Sequence, residues 1–216
     1  MDTFSACVAF GPLAIYLLLL GVINVSRRPL IVSGTRETLA LGLALFGLVT
    51  VGPMQLFMPQ EAAARFGQYV WLLLVAFYGL SLALLVILNR PRLIIYNITL
   101  EQLQPILDET VHRLDPDATS AGHGVSMPLA RVHFQVENFL PLANVSLVAT
   151  SDDQSFGGWR RLEQGLRARL HQTSVAAQPQ GFWLALCGLA TLLALAFWVV
   201  DDPQNLAQGL GRLMRP

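Results

Sequence analysis

The sequence predicts an α-helical membrane protein with four transmembrane helices plus a small cytoplasmic α+β domain inserted between the third and the fourth. Three observations predict it. Four apolar stretches, Phe4–Val25, Thr38–Met58, Phe66–Asn89 and Gly181–Val200, run 22, 21, 24 and 20 residues without an Asp, Glu, Lys or Arg. About 20 helical residues cross a hydrocarbon core, so each stretch is long enough to span. The segment Arg90–Pro179 is polar-patterned instead, and it holds 17 of the 28 charged residues and all four histidines. Composition agrees: of 216 residues, 54% are hydrophobic and 13% charged, which excludes an ordinary soluble domain. The chain therefore divides into residues 1–89 with spans 4–25, 38–58 and 66–89, a domain at 90–179, and residues 180–216 with the fourth span (181–200) and a short extracytoplasmic tail.

The N-terminal Met-Asp-Thr-Phe lacks the positive region that opens a signal peptide, so the first run reads as an uncleaved span. Trp71, Trp183 and Trp198 lie near span ends, where aromatic belts form. Ala40, Ala44, Gly47, Ala190 and Ala194 are small enough to let helices approach closely. Arg27, Arg28 and Arg36 crowd the first loop, Arg90 and Arg92 follow span three, and four more arginines precede span four. Only Arg65, Arg212 and Arg215 lie on the other side, beside Asp2, Glu61, Asp201 and Asp202. The positive-inside rule then places both termini outside and residues 90–179 in the cytoplasm.

Within the insert the expected order is β-α-β-β-β-α, an antiparallel sheet with two helices on one face. Leu93–Asn97 is a short β-rich run. Thr99-Leu-Glu-Gln102 has capping-box spacing, and Leu100, Leu103, Leu107, Val111 and Leu114 form one helical stripe. Pro105 should kink that helix or delay its regular part, and Asp115-Pro116 ends it. A weak strand near Val125–Met127 follows a Gly-rich turn. Arg131–Glu137 alternates strictly, with Val132, Phe134 and Val136 on one face, and Asn144–Thr150 alternates again. Asp152, Asp153 or Ser155 caps a last helix, Phe156–Leu170, whose apolar side is Trp159, Leu162, Leu166 and Leu170.

Span one runs into Arg28-Pro-Leu-Ile-Val-Ser33, an echo of Arg90-Pro-Arg-Leu-Ile-Ile-Tyr96 after span three. The simpler and preferred reading is that Arg-Pro stops both helices. The alternative is that Leu30–Val32 pairs with the open edge of the domain's sheet, since edges need covering.

Chemistry-bearing patterns are sparse. The spans contain no ionisable pathway; their polar groups are Asn24, Gln55, Tyr78 and a few hydroxyls. Cys7 and Cys187 both lie in apolar spans, so neither a disulfide framework nor a zinc site is indicated. Asp108 and His112 are four apart on one helix, and His123 and His133 can approach across strands, too few ligands for a metal centre. No nucleophile elbow, zinc-protease or phosphate-loop motif appears, and no cofactor is implied. Zero formal net charge argues against a nucleic-acid partner. Asn97-Ile-Thr and Asn144-Val-Ser match glycosylation sequons but fall in predicted cytoplasmic strands, so they read as coincidence. Leu206, Leu210 and Leu213 space as a short interfacial helix in the tail.

Arg160, Arg161, Arg167 and Arg169 are the sharpest remaining feature, on an amphipathic helix ending shortly before span four. They suit binding of a partner or of anionic lipid, although a solvated face enriched by topology accounts for them more simply. The resulting expectation is a non-enzymatic integral membrane protein, an interaction, assembly or regulatory subunit embedded in the lipid bilayer, whose cytoplasmic domain docks a membrane or cytoplasmic protein. The alternatives are a small transporter or transporter subunit and an anionic-lipid-sensing membrane protein.

Overall fold

The structure, a computed structural model, describes residues 3–57, 69–139, 144–151, 154–175 and 179–201. In chain order the elements are α1 (Thr3–Val25), β1 (Leu30–Ser33), α2 (Gly34–Phe57), α3 (Tyr69–Leu88), β2 (Arg92–Tyr96), α4 (Leu100–Leu114), β3 (Thr119–Ala121), β4 (Gly124–Met127), β5 (Val132–Phe139), β6 (Asn144–Ala149), α5 (Phe156–Leu170) and α6 (Pro179–Asp201). They form two compact units. One comprises Met1–Leu20, Thr38–Leu88 and Leu184–Pro216, the other Gly21–Glu37 and Asn89–Trp183.

Three helices in the described residues are long and apolar enough to cross a membrane: Thr3–Val25, Gly34–Gly52 and Pro179–Asp201. They point to a membrane protein. The apolar part of α3, Leu72–Leu88, is shorter. Outward-facing side chains in this unit are themselves apolar, with Leu19, Leu43, Phe77, Ile87 and Phe197 all more than half exposed. In water such faces would be costly, whereas hydrocarbon solvates them. Trp183 and Trp198 are exposed; the side chain of Trp71 lies outside the described residues, as does the tail with its leucines.

Small residues do set the helix contacts, though not all of the expected ones. Ala44 is buried, and Gly47 lies so close to the Val8 carbonyl that no β-carbon fits between them. On α6 a close approach is at Gly188, against Ala14 and Leu18 of α1, while Ala190 and Ala194 are exposed. Tyr78 Oη donates to the Gly42 carbonyl at 2.6 Å, joining α3 to α2.

The second unit is built on a six-stranded sheet in the order β1-β2-β6-β5-β4-β3, antiparallel throughout. Its central feature is β1. Leu30 pairs with Tyr96, Ile31 with Ile95, Val32 with Ile94 and Ser33 with Leu93, so the Arg-Pro echo ends in a strand and the preferred reading of a plain helix stop is corrected. Arg-Pro does interrupt the helix, but the apolar run after it finds a ladder to join. The unit thus extends beyond 90–179 to take in the connection between α1 and α2.

The helices α4 and α5 pack on one face over Ile31, Leu93, Ile95, Phe134, Val136, Val145 and Leu147. Helix α4 begins at Leu100 with the Thr99 N–H donating to Gln102 Oε1 at 3.4 Å, and it runs through Pro105, which does not delay it. Helix α5 spans the expected residues, with Ser155 Oγ accepting the Gly158 N–H at 3.3 Å; Asp152 and Asp153, the other cap candidates, lie outside the described residues. Trp159, Leu162, Leu166 and Leu170 are all buried. Gly165 lets α5 approach Thr110 and Leu114 of α4.

The hairpin β3–β4 adds a strand the sequence pattern does not announce. The other departures are polar. Asp115 is fully buried, and its carboxylate accepts N–H bonds from Asp117 (3.1 Å), Leu129 (2.8 Å) and Ala130 (3.3 Å), tying the end of α4 to the β4–β5 turn. Beyond the end of β6, the Gln154 side-chain amide takes the place of a strand. It accepts the His133 N–H, donates to the His133 carbonyl and accepts the Trp159 indole N–H.

Candidate functional site

The four predicted arginines separate into two pairs. Arg167 is held by Glu163 at 2.9 Å on its own helix. Arg169 forms a bidentate pair with Glu109 of α4, Nη1 to Oε2 at 3.0 Å and Nη2 to Oε1 at 2.6 Å. The Arg169 pair fastens α5 to α4 through a glutamate that Arg113 also contacts at 3.2 Å, while the Arg167 pair stays within α5. Arg160 and Arg161 are exposed and form no ion pair among the described residues, so only these two remain available.

The histidines scatter. His112 Nδ1 lies 2.9 Å from the Asp108 carbonyl, one turn back. His133 Nδ1 lies 2.9 Å from Ser126 Oγ on β4. His123 stands in the β3–β4 turn and lines the same shallow depression as His133, together with Thr119, Ala121, Gln135 and Thr150. Among the described residues no three His, Cys, Asp or Glu side chains converge.

The sequon asparagines have a structural use. Both are buried, and the Asn97 N–H donates to Asn144 Oδ1 at 3.2 Å. Asn97 adopts φ +61°, a conformation asparagine tolerates better than most residues, and its Nδ2 donates to the Ser26 carbonyl just beyond α1. Of the groups considered for a pathway between spans, Tyr78 is committed to Gly42, Asn24 is buried against Gly181, and the Gln55 side chain lies outside the described residues.

The sheet has two unlike faces and two unlike ends. Opposite the helices, Ile94 and Tyr96 are buried and Glu37 gathers Arg92 Nη2 (3.1 Å) and Tyr96 Oη (2.8 Å), which locks the first turn of α2 onto β2. Farther along the same face, Gln135 and Glu137 are exposed. One end strand, β1, packs against α5. The other, β3, is exposed at all three residues, Thr119, Ser120 and Ala121, and carries neither charge nor proline. Edge strands with those properties are open to pairing. Sequence reasoning missed this edge because two small polar residues and an alanine give no alternation to detect. No family model, curated protein or solved structure matches this chain.

Proposed function

We propose that this chain is a non-enzymatic membrane protein of four transmembrane helices, both termini outside, whose sheet unit lies in the cytoplasm and docks a protein partner. The fourth span is α3, whose 20 residues Tyr69–Leu88 match the length a hydrocarbon core requires. The docking reading rests on β3, the edge strand of the sheet that is exposed at all three of its residues. An extended partner segment adds a strand there, with backbone bonds for affinity and the depression beside His123 and His133 for side-chain selection. The arginine distribution of the sequence supports the sidedness.

The test is affinity purification of the full chain in mild detergent, comparing the native protein with the double variant Thr119→Lys and Ala121→Lys. Edge lysines block strand addition and disturb little else at exposed positions. A stoichiometric partner should co-elute with the native chain and vanish from the variant, whose melting temperature stays unchanged. Co-elution that survives both lysines would end the reading.

A further inference from the structure

A different surface carries an inference independent of the β3 reading. Outside the candidate spans, two large apolar side chains stand far out of the sheet unit: Phe156 is 81% exposed and Leu129 67%. They belong to one end of it. The Ser155 N–H donates to the Arg131 carbonyl at 2.9 Å, and Gly158 packs so tightly on the Ala130 carbonyl that no β-carbon fits. The first turn of α5 and the β4–β5 turn are therefore adjacent.

Three exposed arginines surround this end: Arg131, Arg160 and Arg161. None forms an ion pair among the described residues, unlike Arg167 and Arg169 farther down the same helix. Arg160 lies four residues after Phe156, on the same side of α5. Among the described residues, the atom within 4 Å of where a Gly157 β-carbon would stand is the Ser155 hydroxyl oxygen at 3.6 Å.

We propose that this tip inserts Phe156 and Leu129 into the interface of an anionic lipid leaflet, with Arg131, Arg160 and Arg161 pairing the headgroups. Apolar side chains ringed by unpaired basic residues are the composition by which peripheral elements enter that interface. Each arginine near an anionic surface biases the bound state by about fivefold. The occupant is an anionic leaflet because the three exposed arginines complement its headgroups; the one exposed acidic neighbour among the described residues of this turn is Asp117, tied to Asp115 behind Leu129. The same chain carries three helices long and apolar enough to cross a membrane, so a leaflet is a surface to which it is covalently tethered.

The experiment uses the full chain with Cys7→Ala and Cys187→Ala, an environment-sensitive fluorophore on Phe156→Cys, and reconstitution into nanodiscs. Discs of phosphatidylcholine alone are compared with discs that include phosphatidylserine, each with and without doxyl-labelled lipid. In the anionic discs the probe should shift to the blue and be quenched by doxyl lipid. Arg131→Gln, Arg160→Gln and Arg161→Gln should each lower the ratio of quenched to unquenched probe about fivefold per charge. A control probe on Glu101→Cys, exposed in the first turn of α4, should stay in water. Water-like emission at residue 156 in both kinds of disc, or quenching indifferent to the arginines, overturns the proposal. Protection that appears only on adding a membrane extract assigns the tip to a protein partner, and overturns it too.

Discussion

Removing the Asp115 carboxylate should unfasten two turns at once. The side chain is fully buried and accepts three backbone N–H bonds, Oδ1 from Asp117 and Oδ2 from Leu129 and Ala130. Hydrogen bonds to a charged group are worth about 1.5–3 kcal/mol each. Leu129 and Asp117 are exposed at their side chains and Ala130 is half-buried, so the released N–H groups regain part of their hydration. We therefore expect Asp115→Ala to cost about 3 kcal/mol rather than the full sum. Asp115→Asn keeps one oxygen and presents an NH2 group to donors, so it should cost about half as much.

On a unit of this size each kcal/mol moves the melting temperature by about 4–8 °C, so the alanine variant should melt more than about 10 °C lower. The assay is thermal unfolding of the full chain in mild detergent, with Trp71, Trp183 and Trp198 replaced by Phe. That leaves Trp159, whose ring lies 6.0 Å from Phe134 and reports on the sheet core. Hydrogen exchange of the Leu129 and Ala130 amides gives a second readout. An alanine variant that melts within a few degrees of the native protein, with those amides still protected, would refute the reasoning.

Two further outcomes concern single backbone positions. Gly158→Ala should destabilise by about 2 kcal/mol, because its β-carbon would collide with the Ala130 carbonyl and stand 2.5 Å from Val132 Cγ2, whereas Gly157→Ala, at ordinary van der Waals distance from the Ser155 hydroxyl, should be neutral or slightly stabilising in the same melting assay. Asn97→Ala should lose about 2–3 kcal/mol through its φ of +61° and its bond to Ser26, and Asn97→Gly less, since glycine accepts that φ; equal losses in denaturant unfolding would mean the conformation carries no cost.

The local parts of this fold were legible in the sequence and the non-local parts were not. Helix α5 could be read to the residue because a serine cap and a stripe of Trp159, Leu162, Leu166 and Leu170 coincide within 16 positions. Strands β5 and β6 declare themselves by alternation. By contrast β1 is only four residues long, and its partner lies beyond two helices, so pattern alone favoured a plain helix stop. Strand β3, Thr-Ser-Ala, has no apolar residue beyond alanine to mark a face. The arginine cluster reads as one group in sequence because Glu109, which takes Arg169 out of it, lies 60 positions away. Phe156 carried a usable signal: it falls off the apolar stripe of its helix. Nothing in the sequence joins it to Leu129.

The β1 strand has a consequence for the order of assembly. During synthesis Leu30–Ser33 is complete before α2 and α3 exist, while its partner Arg92–Tyr96 follows them. The strand must wait, unpaired, until Arg92–Tyr96 has been made, after α2 and α3, whose mutual placement the Tyr78–Gly42 hydrogen bond helps to fix. Formation of α2 and α3 therefore comes first and sheet closure second, with their contact lowering the loop-closure cost of the later step. A fragment that starts at residue 90 would fold without that strand and present a bare Leu93–Ile95 edge, so its solubility would report on a missing piece rather than on the domain.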